Sequence, residues 1–186
     1  IHSDLSLINE RGDVVSDSMA SYQGLFVSYK SLLNQCLSNS VTGCAMAINH
    51  CLLQKALKMP DQAIMHDWWI SLIASALGER IYVGSALVKY RQHQDNTIGA
   101  VPVDQRKSRL DVLLTFFSSA RCELYAPIAQ QAKHFLRLFH SDLYLKDRIV
   151  LWFVALLDRL PCPLANLLYM FLVTPRNLSA KRNGHR

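Results

Sequence analysis

The chain has 186 residues, of which 51% are hydrophobic and 18% are charged. This composition supplies enough apolar side chains for a core, so it excludes a disordered tail and favours one compact domain with or without an appendage. Residues 1–100 hold seven Lys/Arg against eight Asp/Glu, whereas residues 101–186 hold thirteen against six. The basic second half favours an anionic partner. Because no Lys/Arg-rich block is interleaved with aromatic residues, a membrane surface is favoured over nucleic acid.

The cysteine pattern and the first residues bear on cellular location. The five cysteines form no C-x-x-C pair and are odd in number, and most lie among apolar neighbours. They are expected to act as small hydrophobic residues in a reducing cytoplasm. The chain opens in a strand-like segment at Ile1 without a signal-peptide pattern, and we interpret it as part of a longer protein.

The first 60 residues predict a hairpin and short helices. Apolar runs at 5–8 and 14–15 flank a turn at Gly12, which predicts two antiparallel strands. An amphipathic helix is expected over 28–37. A turn of small residues follows at 39–44, where Gly43 allows the backbone to approach a ligand closely. A further helix is expected over 50–57, ending before a proline.

The centre of the chain is the tetrapeptide His66-Asp67-Trp68-Trp69. It precedes an apolar stripe at helical spacing that stops at Gly78, so the sequence predicts a helix with Asp67 as its N-cap. Of the two indoles, Trp69 is expected in the core, and the role of Trp68 stays open between core packing and contact with a sugar ring. Strand-like segments at 81–83 and 86–88 and a polar cluster at 89–96 follow, and a loop is expected at 91–93 within that cluster.

Three motifs in this order carry a resemblance to a known family. They are Asn39-x-x-Thr42-Gly43-Cys44, His66-Asp67-Trp68-Trp69 and Tyr90-Arg91-Gln92-His93-x-x-Asn96-x-x-Gly99. Together they resemble the C-terminal half of bacterial family-2 glycosyltransferases, and most of all the rhamnosyltransferase-like group that builds surface polysaccharides. The resemblance covers residues 1–100. It implies an α/β fold, the C-terminal portion of an A-type glycosyltransferase (nucleotide-diphospho-sugar transferase) fold, followed by a basic α-helical subdomain over 101–186.

The resemblance implies sugar transfer with inversion, from a nucleotide-diphosphate donor to a saccharide or a lipid-linked saccharide. It places the catalytic base at Asp67, which would take the proton of the acceptor hydroxyl. The dipole of the helix favours the charged carboxylate there. The alternative for Asp67 is a plain helix cap. His66 would tune Asp67 or touch the substrate, or simply precede the cap.

The remaining motif residues would bind the substrates. Asn39, Thr42 and Gly43 would shape the pocket. A turn with side-chain caps explains Asn39 equally well and is the favoured explanation for Cys44. Arg91 could pair with the diphosphate through a bidentate fork. The expected substrate-binding set is Asn39, Thr42, Gly43, Trp68, Arg91, Gln92 and Asn96.

The resemblance also implies a divalent metal, Mg or Mn, with His93 as one ligand. Its main ligands would come from an Asp-x-Asp loop upstream of Ile1, so residues 1–186 alone are expected to be inactive. The alternative for both Arg91 and His93 is a hydrogen-bonded loop without contact to substrate.

The second half of the chain is expected to be helical. Apolar stripes recur over 110–117, 128–139, 143–157 and 164–173, and a break at 158–163 separates the last two. No uncharged apolar run reaches the ~18–20 residues of a membrane span. The helices would cover the sheet or lie in the interface of the cytoplasmic membrane at its inner face. The competing function is a non-catalytic helical module that binds a membrane or a protein partner.

Overall fold

The structure, a computed structural model, describes residues 1–25, 27, 31–93, 100, 102 and 120–180, with the backbone alone at 120–124, 170 and 173–180. These residues form a mixed α/β arrangement of three strands and seven helices. The strands are β1 (His2–Ile8), β2 (Val14–Ser16) and β3 (Tyr82–Arg91). The helices are α1 (Met19–Gln23), α2 (Leu32–Leu37), α3 (His50–Ala56), α4 (His66–Leu77), α5 (Ala120–Phe139), α6 (Leu145–Ala155) and α7 (Cys162–Ala180), with a 3-10 turn at Gly43–Ala45.

The hairpin predicted at the start of the chain is confirmed. β1 is the central strand of a sheet ordered β2-β1-β3 and pairs antiparallel with β2 and parallel with β3. In the turn between β1 and β2, the side-chain oxygen of Asn9 accepts from the backbone N–H groups of Arg11 and Asp13, each at 2.9 Å. Gly12 has a φ of 93°, which disfavours any residue with a Cβ atom.

The two short strands predicted at 81–83 and 86–88 are one strand of ten residues, β3. The loop predicted at 91–93 is therefore wrong at Arg91, which is the last residue of β3. Parallel pairing continues to Arg91, which lies opposite Ile8, and the N–H of Gln92 donates to the Ile8 carbonyl at 2.8 Å. β3 forms one edge of the three-stranded sheet and is mostly exposed along its length.

Helix α4 begins earlier than the sequence predicts. Its N-cap is Met65, which has extended backbone angles and makes no side-chain cap bond, so the predicted capping role of Asp67 is wrong. Asp67 instead lies inside the first turn, where a carboxylate still meets the positive end of the helix dipole. The predicted end at Gly78 is confirmed. Helix α3 is also confirmed, and Asn49 caps it by accepting from the Leu52 N–H at 2.9 Å.

One hydrophobic core joins the helices. Its buried residues come from α2, α3, α4, α5, α6 and α7, so residues on both sides of position 100 contribute to the same cluster. Trp69 of α4 is fully buried against Phe135 and Phe139 of α5, with ring centroids 5.3 and 6.2 Å apart. The break predicted at 158–163 separates α6 from α7. The apolar stripe predicted over 110–117 lies outside the described residues. Positions 28–30 of the helix expected over 28–37 also lie outside them, and the helical part that is described is α2.

The helices and cysteines add two facts that concern location. None of the helices described is long and apolar enough to cross a membrane. Cys36, Cys44 and Cys51 form no disulfide, whereas Cys162 is disulfide-bonded. A disulfide is not expected in the reducing location that the sequence favours.

Candidate functional site

Asp67 has a buried carboxylate at the start of α4, with 4% of the residue exposed. Its Oδ1 atom accepts from Asn39 Nδ2 at 3.0 Å and from the backbone N–H of Trp68 at 2.7 Å. Its Oδ2 atom accepts from the backbone N–H of Gly43 at 3.0 Å. A carboxylate oxygen has two lone pairs, so Oδ2 keeps one that none of the described residues occupies. The structure thus brings together Asn39, Gly43 and Asp67, which belong to two separate motifs of the sequence.

The amide of Asn39 has only one orientation that satisfies its neighbours. Its Oδ1 atom accepts from the backbone N–H of Val41 and from Gln35 Nε2, each at 3.1 Å. Because both of those groups are donors, the Nδ2 group of Asn39 must point the other way, toward Asp67. Asn39 therefore acts on the carboxylate as a fixed hydrogen-bond donor.

Gln35 fixes Asn39 in turn and is itself fixed by a cation. Its side chain is 1% exposed, and its Oε1 atom accepts from Arg80 Nη1 at 2.7 Å and from Ser40 Oγ at 3.1 Å. Its Nε2 group donates to Asn39 and to Ser71 Oγ. A guanidinium can only donate, so Arg80 holds the Gln35 oxygen toward itself. Burial lowers the pKa of Arg80 from its usual value.

The first motif contacts the second through backbone as well as side chains. A Cβ atom on Gly43 would lie only 2.6 Å from His66 Nε2 and 3.4 Å from Asp67 Cβ, so the absence of a side chain allows this close approach. His66 itself is exposed beside the buried Asp67. Thr42 caps the 3-10 turn through its backbone position without a side-chain cap bond.

The two indoles of the tetrapeptide both have structural contacts. Trp69 lies in the core, as the sequence predicts. Trp68 is half-buried against the same core, and its Nε1 atom donates to the backbone carbonyl of Gln35. These contacts favour a packing role for Trp68, whose function the sequence left open.

The third motif lies at the carboxyl end of β3, away from Gly43 and Asp67. Arg91 donates from Nη1 to the carbonyls of Asn9 and Glu10, at 3.1 and 2.7 Å, in the turn between β1 and β2. Gln92 Nε2 donates to the carbonyl of Ala100 at 2.8 Å. Gln92 and His93 line an open hollow of about 470 Å³ together with Asn9, Glu10 and Arg11. Neither His66 nor Asp67 lines this hollow, and Asn96 lies outside the described residues.

The residues around His93 do not form a metal site by themselves. Among the residues that the structure describes, no three His, Cys, Asp or Glu side chains are grouped so that they could hold a metal ion. Glu10 shares the hollow with His93, but Arg11 brings a positive charge to the same space. His93 therefore fits at most as one ligand among others supplied from elsewhere.

Comparison with known proteins identifies no relative. No protein-family model matches the chain, and no curated protein and no solved structure matches it significantly. The functional interpretation therefore depends on the geometry described here and on the three motifs.

A second buried carboxylate, Asp4 in β1, has structural partners. Its oxygens accept from the backbone N–H of Leu5 at 2.8 Å, from the N–H of Ala20 at 3.1 Å and from Ser18 Oγ, so Asp4 holds the start of α1 against the sheet. Burial, followed by the negative charge of Asp4 and a hydrogen bond to it, raises the pKa of Tyr82 to about 12.

A cavity of about 590 Å³ lies between β1, α3 and α4. His2 and Arg80 lie in its wall, and Asp67 does not. His2 is 4% exposed, and its Nε2 atom is buried without a hydrogen-bond partner among the described residues. Burial, with the nearby positive charges of Arg80 and the amino group of Ile1, lowers the pKa of His2 to about 4.

The depressed pKa of His2 predicts an acid-sensitive fold. The unfolded chain binds a proton on this imidazole below its usual pKa of 6.5, whereas the folded chain does so only near 4. The free energy of unfolding should therefore be constant above pH 6.5 and fall by about 2–3 kcal/mol as the pH drops to 4.

Urea unfolding at a series of pH values measures this loss. The variant His2→Asn should lack the part of the pH dependence between 4 and 6.5, while His140→Gln, at an exposed histidine, should retain it. An equal pH dependence in His2→Asn and in the unmodified chain would contradict the prediction.

Sequence reasoning missed Gln35, Ser71 and Arg80. The sequence offers one signal for Gln35, which is a polar residue within the mostly apolar segment Leu32–Leu37. In the structure, all but two positions of that helix are buried. No local signal connects it with Arg80, which is 45 positions away.

Proposed function

We propose that this chain is part of an inverting glycosyltransferase that transfers a sugar from a nucleotide-diphosphate donor to a saccharide or a lipid-linked saccharide, in surface polysaccharide synthesis. The observation that carries the proposal is the convergence of Asn39 and Gly43 on the carboxylate of Asp67. The first motif lies 24 to 28 positions before Asp67, and both of its contacts orient the group that the resemblance makes the base.

In the proposed reaction, the acceptor hydroxyl attacks the anomeric carbon of the donor sugar. Oδ2 of Asp67 takes the hydroxyl proton as the new carbon–oxygen bond forms, and the bond to the diphosphate breaks with its electron pair leaving on the nucleoside diphosphate. Attack from the face opposite the leaving group inverts the configuration. The donors on Oδ1 hold the carboxylate, so the remaining lone pair of Oδ2 has a fixed direction.

The resemblance gives the leaving group to Arg91 and the hollow beside it, although this hollow lies at the other end of β3 from the residues that meet at Asp67. Arg11 lies in its wall, and Arg91 binds the adjoining turn through Nη1, so two guanidinium groups stand near the carboxyl ends of β1 and β3. Guanidinium groups suit the diphosphate better than they suit a cation. His93 would contact the phosphate or complete the coordination of a divalent metal, Mg or Mn, whose main ligands lie outside these residues.

The exposed edge of β3 agrees with a larger sheet. Among the described strands β3 is an edge strand of ten residues, and soluble proteins usually shorten or cover such edges. In the proposed enzyme, further strands with the nucleotide-binding residues would extend the sheet. The proposed substrates would be found in the cytoplasm, at the inner face of the membrane. The Cys162 disulfide would then have to persist in a reducing compartment.

The competing proposal is a non-catalytic module, favoured by the same buried carboxylate. Asp67 is 4% exposed, and its hydrogen bonds to Asn39 and Gly43 could serve only to hold the 3-10 turn against α4. The exposed apolar faces of α6 and α7 would then carry the function through binding.

The variant Asp67→Asn in the intact gene product separates the two proposals. As the base, Asp67 contributes about 10²–10⁴-fold to the rate, so release of nucleoside diphosphate from nucleotide sugars in the presence of acceptor should fall by that factor. The amide places an NH2 group against the N–H of Gly43 or against the donors on Oδ1, so a loss of about 1–3 kcal/mol in stability is also expected.

The exposed carboxylate of Asp61 provides the matched control. Asp61→Asn should leave both the transfer rate and the melting temperature unchanged. If Asp67→Asn remains folded and transfers sugar at the normal rate, Asp67 is not the base. If the unmodified intact protein releases no nucleoside diphosphate from any nucleotide sugar, the non-catalytic proposal is favoured.

A further inference from the structure

Helix α6 turns large apolar side chains away from the core. Leu145, Ile149 and Trp152 are 67%, 48% and 51% exposed and follow one another at i, i+4 and i+7, which places them on one side of the helix. The opposite side contributes Leu151 and Val154 to the core. The outer side of α6 therefore presents three large apolar side chains, with Arg148 among them at i+3.

Helix α7 repeats this arrangement. Leu164, Leu167 and Phe171 are 51%, 58% and 76% exposed at i, i+3 and i+7. Ala165 and Asn166 face inward instead and are fully buried. Two successive helices with large exposed apolar side chains exceed the scattered apolar residues that a monomer ordinarily exposes.

The basic residues near these helices favour an anionic partner. Residues 159–186 hold five Lys/Arg and no Asp/Glu, and Lys146 is exposed next to Leu145 on α6. Asp147 in the first turn of α6 adds one negative charge, whereas Asp142 before the helix binds Lys55 and Asp158 after it binds Lys133. Apolar faces flanked by basic residues are the pattern of helices that lie on anionic membranes.

We infer that the outer faces of α6 and α7 dock on the surface of an anionic phospholipid bilayer. The apolar side chains would enter the region between headgroups and acyl chains, and the basic residues would contact the phosphates. Trp152 and the 72% exposed Tyr144 are of the residue types that favour this depth. The inference goes beyond the proposed transferase activity and does not require it, although it would bring the chain to lipid-linked acceptors.

Tryptophan fluorescence of the full chain tests the inference directly. Of the three tryptophans, Trp69 is buried, Trp68 is half-buried and Trp152 is exposed, so a spectral change on contact with lipid reports on Trp152. Vesicles of phosphatidylcholine and phosphatidylglycerol in equal parts should shift its emission to shorter wavelength, and brominated acyl chains should quench it. The variant Trp152→Phe should remove both signals.

Sedimentation with the same vesicles measures the contribution of the apolar face. Phe171→Asp should lower the partition coefficient about tenfold, since one large apolar side chain is lost from the bilayer and a negative charge is added. Leu87→Asp, at a 68% exposed leucine of β3, should leave partitioning unchanged. Binding should weaken as salt is added.

Three outcomes would overturn the inference. One is the absence of any emission shift or sedimentation of the unmodified chain with the anionic vesicles. Another is equal binding to vesicles of phosphatidylcholine alone, since the partner would then not be an anionic surface. The third is self-association that Phe171→Asp abolishes without any response to vesicles, which would assign the face to a second copy of the chain. None of these outcomes depends on sugar transfer.

Discussion

Replacing Gln35 with alanine is expected to lower the free energy of unfolding by about 3 kcal/mol. The side chain is 1% exposed and makes four hydrogen bonds, with Asn39, Ser40, Ser71 and Arg80. Alanine removes all four at once. The most costly loss is that of the Gln35 oxygen from the buried guanidinium of Arg80, because hydrogen bonds to charged groups contribute more than those between neutral groups.

Urea unfolding of the two proteins measures this difference. Gln54 on the outer side of α3 is the matched control, because it is an exposed glutamine in a helix. Gln54→Ala should change the stability by less than about 0.5 kcal/mol. A loss below about 1 kcal/mol in Gln35→Ala would mean that water replaces the missing partners, and the network would then not be a buried one.

A second variant at position 35 tests orientation rather than stability. Gln35→Glu keeps an acceptor for Arg80 but loses the donor that faces Asn39 Oδ1. The Val41 N–H and the Asp67 carboxylate still hold the Asn39 amide in its present orientation, so the new carboxylate oxygen is expected to repel Asn39 Oδ1 and to displace the Asn39 side chain from Asp67. The N–H of Gly43, which is bonded to the other oxygen of Asp67, should change its NMR chemical shift and lose protection from hydrogen exchange. An unchanged Gly43 signal would show that Gln35 does not control Asp67.

The sequence predicts the local elements better than the contacts among them. The hairpin around Gly12 and the end of α4 at Gly78 follow from glycine in turns and caps, which act within a few residues. The extent of β3 could not be predicted in this way. Its last residues pair with β1, more than 80 positions earlier, and Arg91 looks like part of a loop until that pairing is known.

The candidate site shows the same division. An acidic residue is favourable both as an N-cap and in the first turn of a helix, so the sequence could not separate these positions for Asp67. Asn39 and Gly43 contact Asp67 across 28 and 24 positions, and local propensity does not predict contacts at that separation. The contact between Gln35 and Arg80 could not be predicted either, since neither residue belongs to a motif.

Replacing Trp69 with alanine is expected to be the most destabilising single change, with a loss of about 3–5 kcal/mol. The side chain is fully buried, and its ring meets Phe135 edge to face at 5.3 Å. Its loss leaves a cavity between α4 and α5, the helices that join the two halves of the chain. The 51% exposed Trp152 is the matched control, and Trp152→Ala should cost less than about 1 kcal/mol.

The way in which this variant unfolds is as informative as the size of the loss. Because α4 and α5 share one core, unfolding of either half exposes the apolar side chains of the other. Far-ultraviolet circular dichroism and tryptophan fluorescence should therefore give one coincident transition in the unmodified chain, and Trp69→Ala should move the circular dichroism transition as a whole to lower urea. Two separate transitions, of which only the first moves, would show that residues 120–180 are stable without α4. The carboxylate of Asp67 would then be positioned independently of the helical half.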